Sequence, residues 1–175
     1  PLFVVVAILI KLDSRGPVLF QQARLGFNNE PIRVLKFRSM TTFDDAHDEF
    51  RQAVRNDPRV TGIGRVLRQT NIDELPQLLN VLRGEMSIVG PRPHAIAHNR
   101  MFADHIRKMF RRHNVKPGIT GWAQVNGLRG ETDTFDKMRK RIEHDLYYVD
   151  NWSFFFDIKI LIMTIISRRA HINAY

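Results

Sequence analysis

A chain of 175 residues with 43% apolar content can bury one substantial core, and nothing in its length demands two independent domains. A formal net charge of +9 and a pI near 10.5 call for an anionic partner, whether nucleic acid, an anionic lipid surface or a phosphorylated substrate. The absence of cysteine excludes disulfides, thiolate metal sites and cysteine nucleophiles, so any catalysis must use oxygen or nitrogen groups.

In chain order, Pro1 is followed by an apolar run over residues 2–10 and then Lys11-Leu12-Asp13-Ser14, a start that reads as truncated. At 1.5 Å per residue the run covers about half of a ~30 Å hydrocarbon core, too little to span a bilayer. A buried core helix and a membrane-inserted segment both stay open. A signal peptide is disfavoured, because no small-residue cleavage site follows. After Gly16-Pro17, residues 18–22 and 32–38 read as strands around the turn-rich Gly26-Phe27-Asn28-Asn29, which predicts a β-hairpin. In its second strand the period of two puts Ile32, Val34, Lys36 and Arg38 on one face, with two cations side by side, and Leu35 and Phe37 on the other. The polar, acidic stretch 42–55 reads as a solvated helix or a mobile loop.

Leu75, Leu78, Leu79 and Leu82 recur at helical spacing, with Gly84 where a C-terminal cap belongs. Pro76 fits only the first turn of that helix, so its start lies close to Asp73. Residues 100–113 alternate apolar and basic side chains, among them Arg111 and Arg112, in the pattern of a basic amphipathic helix suited to a membrane surface. Lys116-Pro117-Gly118 is a turn, 119–125 a strand, Asn126-Gly127 another turn and 134–149 a long helix. The stretch 153–166 is almost wholly apolar yet carries Asp157 and Lys159, which are costly in mid-bilayer, so an interfacial helix suits it better than a spanning one.

Asp73 and Glu74 are the central candidates for chemistry. Local sequence favours a plain reading, in which Thr70 and Asp73 stand in the spacing of a capping box. The same geometry also suits catalysis: a carboxylate at a helix N-terminus is held ionised by the dipole, while N–H groups beside it can receive a phosphate. Neighbours on a helix point about 100° apart, so the two acids can divide roles, one attacking phosphorus and the other holding a metal. A carboxylate approaching a pyrophosphate meets like charge, which this chemistry offsets with Mg²⁺ and arginines. Arg92, between Pro91 and Pro93, is either part of an ordinary rigid loop or a preorganised phosphate ligand. Lys36, Arg38, Arg68, Arg129 and Arg141 are unexceptional singly, and only convergence would give them meaning. His94 and His98 lack the Glu of a zinc motif, and Gly62-Ile63-Gly64 lacks the third glycine of a dinucleotide site. Trp122 and Phe154-Phe155-Phe156 read as core or interface anchors. No recognised nucleic-acid motif accompanies the positive charge, so nucleic acid is not expected as a partner.

Four motifs together resemble the bacterial sugar transferase family, the monotopic polyprenyl-phosphate phosphoglycosyl transferases: Lys36-Phe37-Arg38-Ser39-Met40, Asp73-Glu74-Leu75-Pro76-Gln77-Leu78, Ser87-Ile88-Val89-Gly90-Pro91-Arg92-Pro93, and the run from Lys116 to Gly127. The resemblance covers essentially the whole chain and fades in the tail. It implies a single catalytic domain over 1–175 of helix-rich α+β class, with a small β-hairpin and interfacial amphipathic helices. Residues 1–12 would be the returning limb of a re-entrant membrane helix broken at Pro1, and 13–175 the part on the cytoplasmic face of the bacterial inner membrane. The implied reaction is covalent and two-step, Asp73 displacing a nucleoside monophosphate from a nucleotide sugar and polyprenyl phosphate then taking the sugar phosphate. Glu74 would bind Mg²⁺, Arg92 and Pro93 would seat the nucleotide, and Lys36, Arg68 and Arg129 would surround the phosphates, with Arg38 and Arg141 as further candidates. Asp145 and Asp157 match acidic positions of the family pattern. The segments Pro93 to Asn99 and Gly130 to Thr134 are most similar to members that move glucose-1-phosphate from UDP-glucose to undecaprenyl phosphate in exopolysaccharide synthesis. Neither gives a physical reason for glucose over galactose. Implied partners are a UDP-sugar, undecaprenyl phosphate and membrane lipids, and a homo-oligomer is compatible with all of this.

Overall fold

A computed structural model describes residues 1–41, 56–94, 109–130 and 134–167. Two helix-and-strand layers meet at the Asp73-Glu74 turn. The first begins with helix α1 (Leu2–Asp13), whose C-terminal carbonyls are taken up by Arg38, just beyond the hairpin. Strands β1 (Leu19–Leu25) and β2 (Pro31–Phe37) form the expected antiparallel hairpin, and Asn28 and Asn29 supply the left-handed turn conformations with φ of 51° and 62°. Helix α2 (Gly62–Gln69) starts under a Thr61 side-chain cap, and Asp13 accepts a hydrogen bond from the Ile63 N–H at 3.1 Å, joining the end of α1 to the start of α2. Val6 and Ile10 of α1, Phe37 of β2 and Leu67 of α2 form the core of this layer.

Helix α3 (Gln77–Leu82) follows a 3₁₀ turn at Ile72–Glu74, with Pro76 at its N-cap and Gly84 beyond its C-terminus at φ 76°. Its leucine stripe faces outward: Leu78, Leu79 and Leu82 are exposed, Leu82 by 84%, whereas Gln77 and Asn80 are buried. The reason is the unpaired edge of β2. Asn80 receives the Leu35 N–H at 3.0 Å and donates to the Arg33 carbonyl at 2.8 Å, pinning the hairpin to α3. Asn80→Ala should lower stability by about 2–3 kcal/mol in chemical denaturation, since it strands buried backbone groups rather than removing apolar area.

The second layer opens on β3 (Ser87–Val89), which pairs in parallel with β4 (Gly118–Thr120). The two chains touch backbone to backbone: a Cβ on Gly118 would lie 2.1 Å from the Gly90 nitrogen, so only glycine fits there. The strand expected over 119–125 therefore ends at Thr120, and Trp122–Val125 turns into a short helix, α4. The parallel pair was not foreseen, since a three-residue strand shows too little alternation to be read. Helix α5 (Phe135–Asp150) is capped by Thr134 and helix α6 (Phe154–Ile166) by Ser153, both close to expectation. Val89, Val125, Tyr148 and Ile160 form the second core, and Phe156 packs edge-on against Trp122 with centroids 5.0 Å apart.

The result is a mixed α+β fold, as expected. Among the described residues no helix is long and apolar enough to cross a membrane. Both α1 and α6 nevertheless expose apolar faces, including Val4, Val5, Ile8 and Leu12 on the first and Phe154, Phe155, Ile165 and Ile166 on the second. The stretch 42–55 and most of the basic segment 100–113 lie outside the described residues. At the end of that segment Met109–Asn114 is a 3₁₀ helix. Arg112 is buried there rather than on a solvated basic face.

Candidate active site

The capping-box reading of Asp73 fails in the structure. The Thr70 hydroxyl bonds back to the Val66 and Leu67 carbonyls at 2.8 and 3.2 Å, so it closes α2 instead of opening the next turn. Asn71, left-handed at φ 58°, then reverses the chain and begins the 3₁₀ turn that carries Asp73 and Glu74. Both carboxylates are 7% exposed.

Their surroundings differ sharply. Glu74 Oε1 accepts the Lys36 ammonium at 2.8 Å, and Arg92 grips both oxygens as a fork, with Nη1 to Oε2 at 3.0 Å. Arg129 Nη2 stands 4.0 Å from Oε1. Burial pushes the Glu74 carboxyl up, but Arg92, Lys36 and Arg129 together outweigh it and hold the group well below the usual carboxylate range. Asp73 accepts no hydrogen bond from any described residue. Burial and the charge of Glu74 push its carboxyl up against the pull of Lys36, Arg68 and Arg92. The expectation that a helix dipole keeps Asp73 ionised is thus corrected: a single 3₁₀ turn offers little dipole, and desolvation dominates.

Sequence reasoning placed Lys36, Arg68, Arg92 and Arg129 near the acids, and the structure brings all four together. Arg129 also donates to the Asn71 side chain, tying the loop after α4 to the turn that presents Asp73. The pairing of Lys36 with Arg38 does not hold. Arg38 follows the last residue of β2 and donates to the Ser14 carbonyl at 2.7 Å, to Ile10 at 3.4 Å and to Arg15, closing the C-terminus of α1. Arg141 donates to the Gly130 carbonyl at 2.9 Å, and Asp145 is buried in an ion pair with Arg112. Asp157 accepts from the Tyr148 hydroxyl at 2.8 Å and from the Trp152 indole at 3.1 Å, fastening α6 to α5. These three lie behind or beside the cluster, each engaged with a protein partner.

Arg24 belongs to the cluster and was missed. Its guanidinium bonds the Pro93 carbonyl and the Gln22 side chain, at 3.1 and 2.6 Å to the latter, and it has no carboxylate bonded to it among the described residues. Burial and the charge of Arg92, offset in part by Glu74, lower it to about 10. The signal was available. The hairpin register pairs Arg24 with Ile32 and Phe20 with Lys36, so Arg24 and Lys36 share one face.

Arg24, Lys36, Arg68, Arg92 and Arg129 therefore face two carboxylates, one of which is already neutralised. This arrangement can receive a polyanion beside an unbonded carboxylate. No cluster of three or more acidic or histidine side chains occurs among the described residues. Asp73 and Glu74 alone do not make an all-protein metal cage. They fit a Mg²⁺ that shares its shell with substrate phosphates, because among the described residues Asp73 is unbonded and Glu74 Oε2 accepts a single hydrogen bond.

The family model described as bacterial sugar transferase matches residues 1–170. Over all 175 residues the chain is 53% identical to the UDP-glucose:undecaprenyl-phosphate glucose-1-phosphate transferase of Escherichia coli strain K12, covering 38% of that protein. It is 56% identical over 168 residues to the undecaprenyl-phosphate glucose phosphotransferase of Komagataeibacter xylinus, covering 94% of this chain and 32% of that protein. A UDP-N-acetylgalactosamine-undecaprenyl-phosphate N-acetylgalactosaminephosphotransferase of Aeromonas hydrophila is 46% identical over 166 residues, 94% of this chain and 38% of that protein. The chain thus spans about a third of the length of these relatives.

Proposed function

The chain belongs to the bacterial sugar transferase family, and on that footing we propose that it moves glucose-1-phosphate from UDP-glucose to undecaprenyl phosphate, releasing UMP. The observation that carries this reading is the contrast within the acidic pair: Glu74 is held by Lys36 and Arg92, while Asp73, unbonded among the described residues, stands beside Lys36, Arg68, Arg92 and Arg129. In the first step an Asp73 oxygen attacks the phosphorus that bears the sugar, and the bridging oxygen leaves with UMP and the bonding electrons. In the second, an oxygen of undecaprenyl phosphate attacks the same phosphorus and frees the Asp73 carboxylate. Buried positive charge stabilises the phosphate oxygens as they gather negative charge. The raised proton affinity of Asp73 also makes its carboxylate the more basic, and so the stronger, nucleophile.

Arg24, Lys36, Arg68 and Arg129 surround the pyrophosphate, while Arg92 and Pro93 seat the nucleotide. Glu74 would hold Mg²⁺ together with the phosphates, and the ion would supply further neutralisation. The exposed apolar faces of α1 and α6 rest in one leaflet of the inner membrane at its cytoplasmic face, with residues 1–12 as the returning limb of a re-entrant helix. This step would initiate exopolysaccharide or related glycoconjugate synthesis.

The test uses the chain in detergent micelles with Mg²⁺. Incubation with UDP-glucose but no acceptor should release UMP and increase the intact mass by one hexose phosphate on Asp73. Unmodified protein that turns over only with both substrates present would overturn the covalent route. The Aeromonas relative is named for a different sugar, so UDP-galactose and UDP-N-acetylgalactosamine belong in the same assay, and a faster rate with either would replace glucose in the reading.

A further inference from the structure

Behind the loop that carries Arg92 lies a buried charged layer that the proposed chemistry does not use. Arg112 and Asp145 have side chains 1% and 2% exposed, and Arg112 Nη2 stands 2.7 Å from Asp145 Oδ2. The contact lies off the line of the N–H, so it is an ion pair rather than an aligned hydrogen bond. The aligned donors point elsewhere. Nη2 donates to the Arg92 carbonyl at 2.5 Å, and Nη1 lies 2.6 Å from His94 Nδ1. One guanidinium therefore touches the residues on both sides of Pro93.

The helix α5 that supplies Asp145 supports a second loop from the same face. Arg141, four residues earlier, donates to the Gly130 carbonyl at 2.9 Å, and its charge also acts on Asp145. Gly130 adjoins Arg129. The two loops held by this helix face are thus the two that send Arg92 and Arg129 to Glu74.

A buried ion pair is a poor device for stability, since apolar residues of similar volume do as well or better. Burial works against both charges here, raising the proton affinity of Asp145 and lowering that of Arg112 despite their mutual attraction. An apolar pair could not, however, hand donors to the backbone at Arg92. We propose that Asp145, Arg112 and Arg141 are positioning residues that set the Arg92 and Arg129 loops against Glu74, rather than residues that touch substrate. The reading rests on the active site described above, and its test has one arm independent of catalysis.

Asp145→Asn keeps the shape and removes the charge that holds Arg112. Arg112→Lys keeps a charge but loses the fork, and it serves if the first variant does not fold. Amide hydrogen exchange is measured over 88–94 and 128–130, with the hairpin 19–37 as internal reference. Faster exchange in the two loops and an unchanged hairpin are expected; unchanged loops, or uniform acceleration, would overturn the proposal. In the second arm kcat/KM for UMP release should fall about 10–100-fold in the single variant. The same substitution on an Arg92→Ala background should cost less than about threefold, because the positioned group is already gone. Equal losses on both backgrounds would overturn the link to Arg92. If the wild-type chain shows no transferase activity, the functional reading fails, and the exchange arm still decides the brace.

Discussion

Asp73→Asn is expected to abolish UMP release, by at least about 10,000-fold, and to leave the protein as stable as wild type or more so. The loss follows from removal of the attacking oxygen. The stability follows from the cost of keeping that oxygen charged. Asp73 is buried, lies next to the charge of Glu74 and is bonded by no described donor, so its carboxyl has a raised proton affinity in the folded state. A group whose folded pKa exceeds its unfolded value stabilises only while protonated. Its contribution is complete below the ordinary aspartate pKa near 3.9 and is lost as pH rises through the folded value. At neutral pH Asp73 is therefore a burden on the fold, and Asn removes it. A large drop in Tm would mean that the side chain is structural, and retained UMP release would remove it as nucleophile.

Glu74→Gln should do the opposite to stability while also harming activity. Glu74 is the common acceptor for Lys36 and Arg92, whose side chains are 22% and 19% exposed, and Arg129 leans on it from 4.0 Å. Neutralising it strands partly buried cations, at a cost of about 3–5 kcal/mol. In a chain of this size that lowers Tm on the order of 10 °C. With Arg92 no longer gripped, UMP release should fall about 100–1000-fold. The pH dependence has the sign of a depressed carboxyl: the stability is complete above the ordinary glutamate pKa near 4.3 and disappears as pH falls toward the lowered value. Wild-type protein should thus lose stability in acid, and the Gln variant should show a flatter profile across the same range. Two adjacent carboxylates with opposite effects on Tm, read in one set of thermal scans, would separate their roles without any substrate.

The hairpin and the two long C-terminal helices were legible because each rests on local rules, and the cations around the acidic pair because the family resemblance names them. Thr134 and Ser153 announce their helices, Asn28-Asn29 marks the turn, and the four motifs carry Lys36 and Arg92, with Arg68 and Arg129 brought forward by the family resemblance. What escaped depends on contacts between distant segments. Arg24 reaches the site only through the hairpin register, and Arg38 leaves it because α1 ends nearby with carbonyls to satisfy. The β3 and β4 pair is too short to show a period, and the leucines of α3 face outward because Asn80 is needed at the hairpin edge. Thr70 misled for a simpler reason. The spacing of a capping box says nothing about whether the hydroxyl serves the helix before it or the turn after it.

The parallel pairing of Ser87 with Gly118 also sets an order of assembly. The hairpin and the acidic turn are complete within the first half of the chain and can form from near neighbours. The β3 to β4 contact must first close a loop of about thirty residues, an entropic cost that local structure does not meet. Asp145, which pairs with the Arg112 that holds the Arg92 loop, comes from still further along. By this order the acidic turn can form before Arg92 has a platform from which to hold Glu74. Lys36 alone can then pair with Glu74 from the first half of the chain, and the C-terminal half completes the neutralisation by bracing Arg92.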